Sequence, residues 1–524
     1  LSKLIRLENN PIDRLGWRSG RCLAEDREDS KPAPKEIMMR LHWWVLFVLG
    51  GAAIPATLAL ADEPRRPNLV LIVADDLGWA DLGCYGNRFN ETPNLDRLAL
   101  QGMRFTDFYA SGAVCSPTRA SIMSGQYQAR FGLTAHIPGH WKPFERLAEP
   151  PTALAMPREI VTVAETLRDA GYATAHFGKW HLGGKGFSPK DQGFQRAIEL
   201  GGHTIPGPRQ EPPSKSPKRL AEYLADKSIE FIEQNRERPF FLEICHCAVH
   251  IPLDTTPGLQ TKYEKKPKVE GYSCHPLYAG LLEEMDRSVG RVMEALDRLG
   301  LAQNTLVVFT SDNGGLEREV GGWPGTCNRP LRNEKGSLYE GGIRVPMIVR
   351  WPGTTAPGSI CGEPAISVDF YPTLVEAAGA SLPKEQAADG LSLLPLLKDP
   401  SARLPREAIY WHYPHYHHSR PSGAIRAGDW KLIEFFDSGE TELYHLAGDL
   451  GESKNLAAEQ PGQARRLQAM LQAWRHEVNA QMPQPNPAYN PQRVDEWWNR
   501  RTVEPTEPPG YDAPGELPAR GAAK

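Results

Sequence analysis

Cys115 and Arg119 are residues whose types and spacing could do chemistry together. They lie in Cys115-Ser116-Pro117-Thr118-Arg119-Ala120-Ser121-Ile122-Met123-Ser124-Gly125. This string reads as a loop turning into a helix, because Pro117 suits a first helical turn, where its missing N–H costs nothing. A helix N-terminus presents free backbone N–H groups and favours anions. Arg119 stands one turn further along the same face, and a guanidinium pairs best with a planar oxyanion. A small reactive group and a fixed cation thus meet at one point. A lone Cys is more often a small buried hydrophobe, so the rest of the chain has to decide.

Four further stretches offer chemistry. Asp75-Asp76 follow an apolar run, Asn68 to Ala74, and Asp312-Asn313 follow another, Thr305 to Thr310. Adjacent carboxylates repel unless a cation stands between them, and oxygen donors suit Ca²⁺ or Mg²⁺. Surface turns also use Asp and Asn-Gly. Lys179 and His181 are two apart and share a face in an extended segment. His250 falls at the outlet of the strand-like run Phe240 to Cys245, while Lys335 alone reads as a loop lysine. His412, His415, His417 and His418 cluster with Tyr410, Trp411, Tyr413 and Tyr416. That segment reads equally as a sugar-facing surface, with His412 and His415 as substrate-binding residues, or as a packed aromatic patch with a solvated His loop; a soft-metal site is the lesser alternative.

Two of these strings resemble the signatures of the type I, formylglycine-dependent sulfatases, of the alkaline phosphatase superfamily. One is Cys-x-Pro-x-Arg followed by Ala-Ser-x-x-Ser-Gly, from Cys115. The other is Gly-Tyr-x-Thr-x-x-x-Gly-Lys-Trp-His, from Gly171 to His181. The chain broadly resembles arylsulfatase A-like and N-acetylgalactosamine-sulfatase-like members over roughly 66–455. The resemblance implies that a formylglycine-generating enzyme oxidises Cys115 to formylglycine. It implies one Ca²⁺ held by Asp75, Asp76, Asp312 and Asn313, with residue 115 beside it. Arg119, Lys179, His181, His250 and Lys335 would line the sulfate pocket, with Arg119, Lys179 and Lys335 binding sulfate and Arg119 orienting the hydrate. In the family mechanism one hydroxyl of the aldehyde hydrate attacks sulfur, His250 or Lys335 protonates the departing alcohol, and His181 takes the proton of the second hydroxyl. An excess of positive charge would then stabilise the transferring group, much as in phosphoryl transfer.

The elements that must position these residues follow from periodicity. Short apolar runs such as Asn68 to Ala74 read as buried parallel strands. Val161 to Ala170, Leu220 to Gln234 and 275–300 read as helices; the last carries an apolar stripe at Leu281, Met285, Val289, Val292, Leu296 and Leu299. Alternation over 66–380 predicts an α/β domain with a large, mainly parallel sheet sandwiched by helices, alkaline-phosphatase-like by the resemblance. Beyond about 400 the pattern predicts a smaller α+β domain, with short antiparallel strands at 408–412, 423–426, 430–435 and 442–446 and a helix over 456–478. The expected boundaries are 66–400, 401–481 and a Pro-rich tail, 482–524.

Met38 to Ala61 has a positive start, an apolar run and a small-residue Ala59-Leu60-Ala61 end. This reads as a signal peptide, with a single membrane anchor as the alternative. Residues 1–37 before it suggest an over-extended gene start. The expected location is therefore periplasmic or extracellular, without a stable membrane anchor after cleavage. Export permits disulfides, though the pairing of the eight cysteines cannot be read from spacing. Cys245-His246-Cys247 lacks the second pair a zinc site needs. A net charge of −4 gives no whole-chain attraction to nucleic acid or anionic membrane. The expected substrate is a sulfated carbohydrate or aryl sulfate. The competing readings are a phosphate or phosphonate ester hydrolase of the same superfamily, a thiol hydrolase, and a non-catalytic sulfated-glycan-binding pseudoenzyme.

Overall fold

The computed structural model describes residues 66–204, 218–320, 323–496 and 498–499. The signal-like segment, the 37 residues before it and the chain from 500 onward lie outside the described residues. Eight strands form the main sheet: β1 (Asn68–Ala74), β2 (Met103–Phe105), β3 (Ala173–Gly178), β4 (Arg196–Glu199), β5 (Phe240–Cys245), β6 (Thr305–Ser311), β7 (Met347–Arg350) and β8 (Ser359–Cys361). Their spatial order is β8-β2-β7-β6-β1-β5-β3-β4. β1 lies at the centre, parallel to both β5 and β6. β7 runs antiparallel to its two neighbours.

The unbroken apolar runs are explained by burial of both faces. Leu69, Leu71 and Val73 of β1 enter one core, and Val70, Ile72 and Ala74 the other. The first core is covered by α2 (Cys115–Ser124), α3 (Val163–Asp169) and α6 (Phe370–Ala377); the second by α1 (Pro93–Gln101), α4 (Leu220–Gln234) and α5 (Pro276–Arg298). On α5 the expected stripe is the buried face at Leu281, Met285, Val289, Val292 and Leu296. The α/β class and the mainly parallel sheet are as the sequence predicts.

Four antiparallel strands follow: β9 (Ile409–Tyr413), β10 (Ser422–Ala427), β11 (Trp430–Phe435) and β12 (Thr441–His445). The helix α7 spans Pro461–Glu477, five residues shorter at its start than the pattern suggested, with Pro461 in its first turn. Its Ala464, Leu467, Leu471 and Trp474 enter the core of the second sheet, and Trp474 stacks on Tyr410 with ring centroids 4.9 Å apart. The tail begins by pairing: Gln484 and Pro485 lie antiparallel to Ala148 and Leu147, and the Asn486 amide donates to the carbonyls of Pro143 and Glu145. The cysteines among the described residues, seven in all, carry free thiols. No helix among those residues is long and apolar enough to cross a membrane.

Candidate active site

The site forms where the central strands end, the place where open α/β sheets gather ligand groups. Asp75 follows β1, Asp312 follows β6, and the backbone locks the two outlets together. Asp312 N donates to Ala74 O at 3.2 Å, Asp75 N to Ala248 O at 2.9 Å, and Val249 N to Asp75 O at 2.7 Å. Asp76 has φ +60°, a left-handed turn that Asp tolerates better than most residues. That turn keeps consecutive carboxylates on one site, where a continuing strand would send them to opposite faces. Asp76 N then donates to Asp312 Oδ1 at 3.2 Å, and Asn313 Nδ2 to Asp76 Oδ1 at 2.7 Å.

Helix α2 begins at Cys115, so this residue does stand at a buried helix N-terminus. Its Sγ is 3.4 Å from Asp75 Oδ1 and 4.0 Å from Asp76 Oδ1. One turn on, Arg119 donates from Nε to Asp312 Oδ2 at 2.8 Å and from Nη1 to the Lys179 carbonyl at 2.9 Å. Lys179 Nζ lies 2.6 Å from Asp75 Oδ2, and Lys335 Nζ 2.8 Å from both oxygens of Asp76. His250 Nε2 is 3.6 Å from Asp76 Oδ2. Ten sequence-predicted residues therefore converge, namely Asp75, Asp76, Cys115, Arg119, Lys179, His181, His250, Asp312, Asn313 and Lys335. Of these, Asp75, Lys179, His181 and His250 line a cleft of about 570 Å³, whose walls also include Glu199.

His181 also has a left-handed φ, +61°, and its Nε2 meets the carbonyl of Ile137. A carbonyl only accepts, so Nε2 carries the proton and Nδ1 keeps a lone pair. Nδ1 is buried and finds no partner among the described residues. Burial, then Lys179, pushes this imidazole down to about 3, so it stays neutral. Burial also pushes the Cys115 thiol far up, which argues against a thiolate nucleophile in the unmodified chain.

The donors fit a hard cation. Burial is the largest influence on Asp75, but Lys179, His250, Arg119 and Lys335 together hold its carboxyl well below the usual range. Asp312 is pushed up, by burial and then by Asp75. Three buried carboxylates thus crowd one point, and Asn313 Oδ1 is buried without a donor among the described residues. An all-oxygen set of this kind suits Ca²⁺.

The histidine-rich segment needs correction. His412 is 1 % exposed, with Nε2 2.8 Å from the Gln481 carbonyl, and His415 is 2 % exposed, with Nε2 2.8 Å from Thr134 Oγ1. Neither ring has a face left for a sugar, and neither lies in a solvated loop; both are packed inside the aromatic patch. Their neighbours reach the site instead. His418 Nδ1 donates to the Lys335 carbonyl at 2.8 Å, and the His417 ring fills the space where a side chain at Gly336 would be. Burial runs unbroken from Trp411 through Tyr416 and lifts only from His417 onward, a boundary that the run of aromatic and histidine residues does not mark in the sequence. Cys245 and Cys247 part company, entering opposite cores. Cys245 joins His176 and Glu243 in a second buried donor group, where His176 Nδ1 is 2.6 Å from Glu243 Oε2.

A cation-lined pocket for an anion at the carboxyl ends of a parallel sheet, with acidic oxygens behind it, defines a hydrolase of anionic esters. The chain belongs to the sulfatase family: the family model for sulfatases matches residues 67–380, and the C-terminal model for N-sulphoglucosamine sulphohydrolase matches 333–481. It is 33 % identical to a sulfatase of Formosa agariphila over 83 % of this chain and 94 % of that one. It is 35 % identical to arylsulfatase A of Homo sapiens over 77 % of this chain and 85 % of that one. The solved structure of Ps i-CgsB in complex with k-i-k-neocarrahexaose is similar with a TM-score of 0.67 and 27 % identity, covering 81 % of this chain and 95 % of that one. The protein is thus a hydrolase acting on sulfuric esters.

Proposed function

We propose that the protein hydrolyses sulfate monoesters of sulfated glycans, using a formylglycine made from Cys115 and one Ca²⁺. The observation that carries this reading is the meeting of Cys115, Arg119, Lys179 and Lys335 around the Asp75, Asp76, Asp312 and Asn313 oxygens. Asp75, Asp76, Asp312 and Asn313 would hold the metal, which would supply Lewis acidity beside residue 115. Formylglycine would supply a hydrated aldehyde, a hydroxyl nucleophile that the buried thiol cannot replace.

The chain's own residues do the rest. Lys179 and Lys335 bind the sulfate oxygens and neutralise charge that grows on them. Arg119, fixed at both ends by Asp312 and the Lys179 carbonyl, orients residue 115. His181 holds a bare Nδ1 lone pair and receives a proton there; an anion in the pocket raises its basicity from the resting state. His250 donates from Nδ1 to the Ile251 carbonyl at 2.5 Å, so it is as the imidazolium that it gives the Nε2 proton, beside Asp76, to the departing alcohol; Lys335, also on Asp76, is the second donor.

The glycan assignment draws on the carrahexaose bound by the similar structure. Export under the 38–61 signal, maturation by a formylglycine-generating enzyme, and the division into 66–400 and 401–481 belong to the same proposal. Turnover of 4-nitrophenyl sulfate against 4-nitrophenyl phosphate by the matured protein tests it. Sulfate release should dominate by at least about a hundredfold, a gap of roughly 3 kcal/mol. Preferred phosphate release would sink the sulfatase reading in favour of a phosphatase.

A further inference from the structure

We infer that Glu199 selects what the substrate carries beyond its sulfate, accepting a hydroxyl, N–H or ammonium group and turning away a second anion. The inference rests on the sulfatase reading above and names a specificity that the reading leaves open. Glu199 ends β4, and its Cα is paired across the sheet with Gly178, the residue before Lys179. Leu200 N donates to the Gly178 carbonyl at 3.0 Å, which holds the two outlets side by side. Glu199 therefore shares a cleft with Lys179, His181 and His250.

The charges in that cleft are otherwise matched. Asp75, the other acidic wall residue, is paired with Lys179 at 2.6 Å. His203 on the same wall spends its Nε2 on the His250 carbonyl at 2.7 Å. Glu199 makes no hydrogen bond or ion pair among the described residues. Glu199 is exposed, so its carboxylate is open to a ligand in the cleft; the burial of its inner atoms still raises the carboxyl above its usual value. The next two residues are Gly201 and Gly202, and a Cβ on either would meet nothing within 4 Å. Among the described residues the wall beside the carboxylate is therefore bare backbone, with room for the body of a substrate.

A carboxylate in this position accepts charge-assisted hydrogen bonds and repels anions. The sulfate pocket demands one negative group; Glu199 penalises a second one close to it. Groups next to the scissile ester should be donors, such as sugar hydroxyls or an amino group. A uronate or a second sulfate there is disfavoured.

The test uses two aryl sulfates of similar shape and opposite tail charge, tyramine O-sulfate and 3-(4-sulfooxyphenyl)propanoate, with 4-nitrophenyl sulfate as the ester without a charged tail. The readout is the kcat/KM ratio of cationic to anionic ester for matured wild type, Glu199→Gln and Glu199→Lys. The expected ratio is about tenfold or more for wild type, near one for Glu199→Gln and inverted for Glu199→Lys, and it shrinks as salt is raised. A charge-blind wild type, or a ratio that both variants keep within about twofold, overturns the inference alone. Failure of the wild type to release sulfate from any of the three esters overturns the sulfatase reading and this inference with it.

Discussion

Two buried charge clusters in this protein have the same inventory and opposite purposes. At the strand outlets, Asp75, Asp76 and Asp312 meet Lys179, Lys335 and Arg119 at 2.6 to 2.8 Å. Against the second sheet, Glu340, Glu452 and Asp107 meet Lys431, Arg344 and Arg426 at 2.7 to 3.1 Å. The second cluster is filled. Tyr109 inserts its hydroxyl onto Glu340 Oε2 at 2.7 Å, and Lys431, Glu340 and Glu452 are wholly buried. The first surrounds the Cys115 thiol and an amide oxygen with no donor among the described residues, and it opens on a cleft. Charge count does not separate a binding site from a structural pin. What is left unmatched does.

The comparison breaks most visibly at residue 115. Cys115→Ala should lower sulfate release by roughly 10⁴-fold or more while leaving the far-UV spectrum and the unfolding midpoint in place. Retained turnover would make the first cluster as structural as the second. The two lysines sharpen the contrast. Lys431→Met strips a buried pair of its only ammonium and should cost about 3–5 kcal/mol in denaturant unfolding. Lys335→Met, assayed in excess calcium, should instead lose turnover by about a hundredfold with a stability change under about 1 kcal/mol, because the metal still balances Asp76. Equal effects on stability would erase the distinction.

Calcium should act on one cluster only. At a hundred times its dissociation constant it should stabilise the fold by about 2.7 kcal/mol, and Asp312→Asn should remove most of that gain. A calcium-independent unfolding curve would contradict the assignment of these oxygens to a cation. The smallest effect concerns the misplaced histidines. His412 is pushed down to about 3, mainly by burial. Its folded value is depressed, so the stability of the neutral form is fully present above the ordinary histidine value near about 6.5. That stability is lost as pH falls from there through about 3, because only the unfolded chain takes up the proton. His412→Gln should flatten this part of the stability–pH curve and change turnover per folded molecule by less than about threefold.

Much of the site was legible because its residues follow strands at fixed offsets. The apolar runs 68–74 and 305–310 announced their outlets, and Asp75, Asp76, Asp312 and Asn313 stand where oxygen ligands would be expected. Lys179 and Lys335 could be placed only through the resemblance, since nothing local distinguishes them from solvated lysines. The left-handed turns at Asp76 and His181, which aim these side chains, leave no compositional trace in residues other than glycine. The 410–418 segment misled for a physical reason: a strand buried on both faces carries aromatic and histidine side chains inward, and composition alone does not say which side is out. Glu199 went unnoticed because a single glutamate at a strand end is ordinary until the cleft around it is known.

The central claim is that residue 115 works as an aldehyde made from cysteine within a sulfate pocket. The mass of the peptide spanning Cys115, taken from sulfatase-active protein matured in an exporting host, tests it most directly. The account predicts a mass about 18 Da below that of the thiol peptide, from replacement of CH₂–SH by an aldehyde, a side-chain modification that alters the chemistry of the site. Active protein carrying an intact thiol at residue 115 would contradict it.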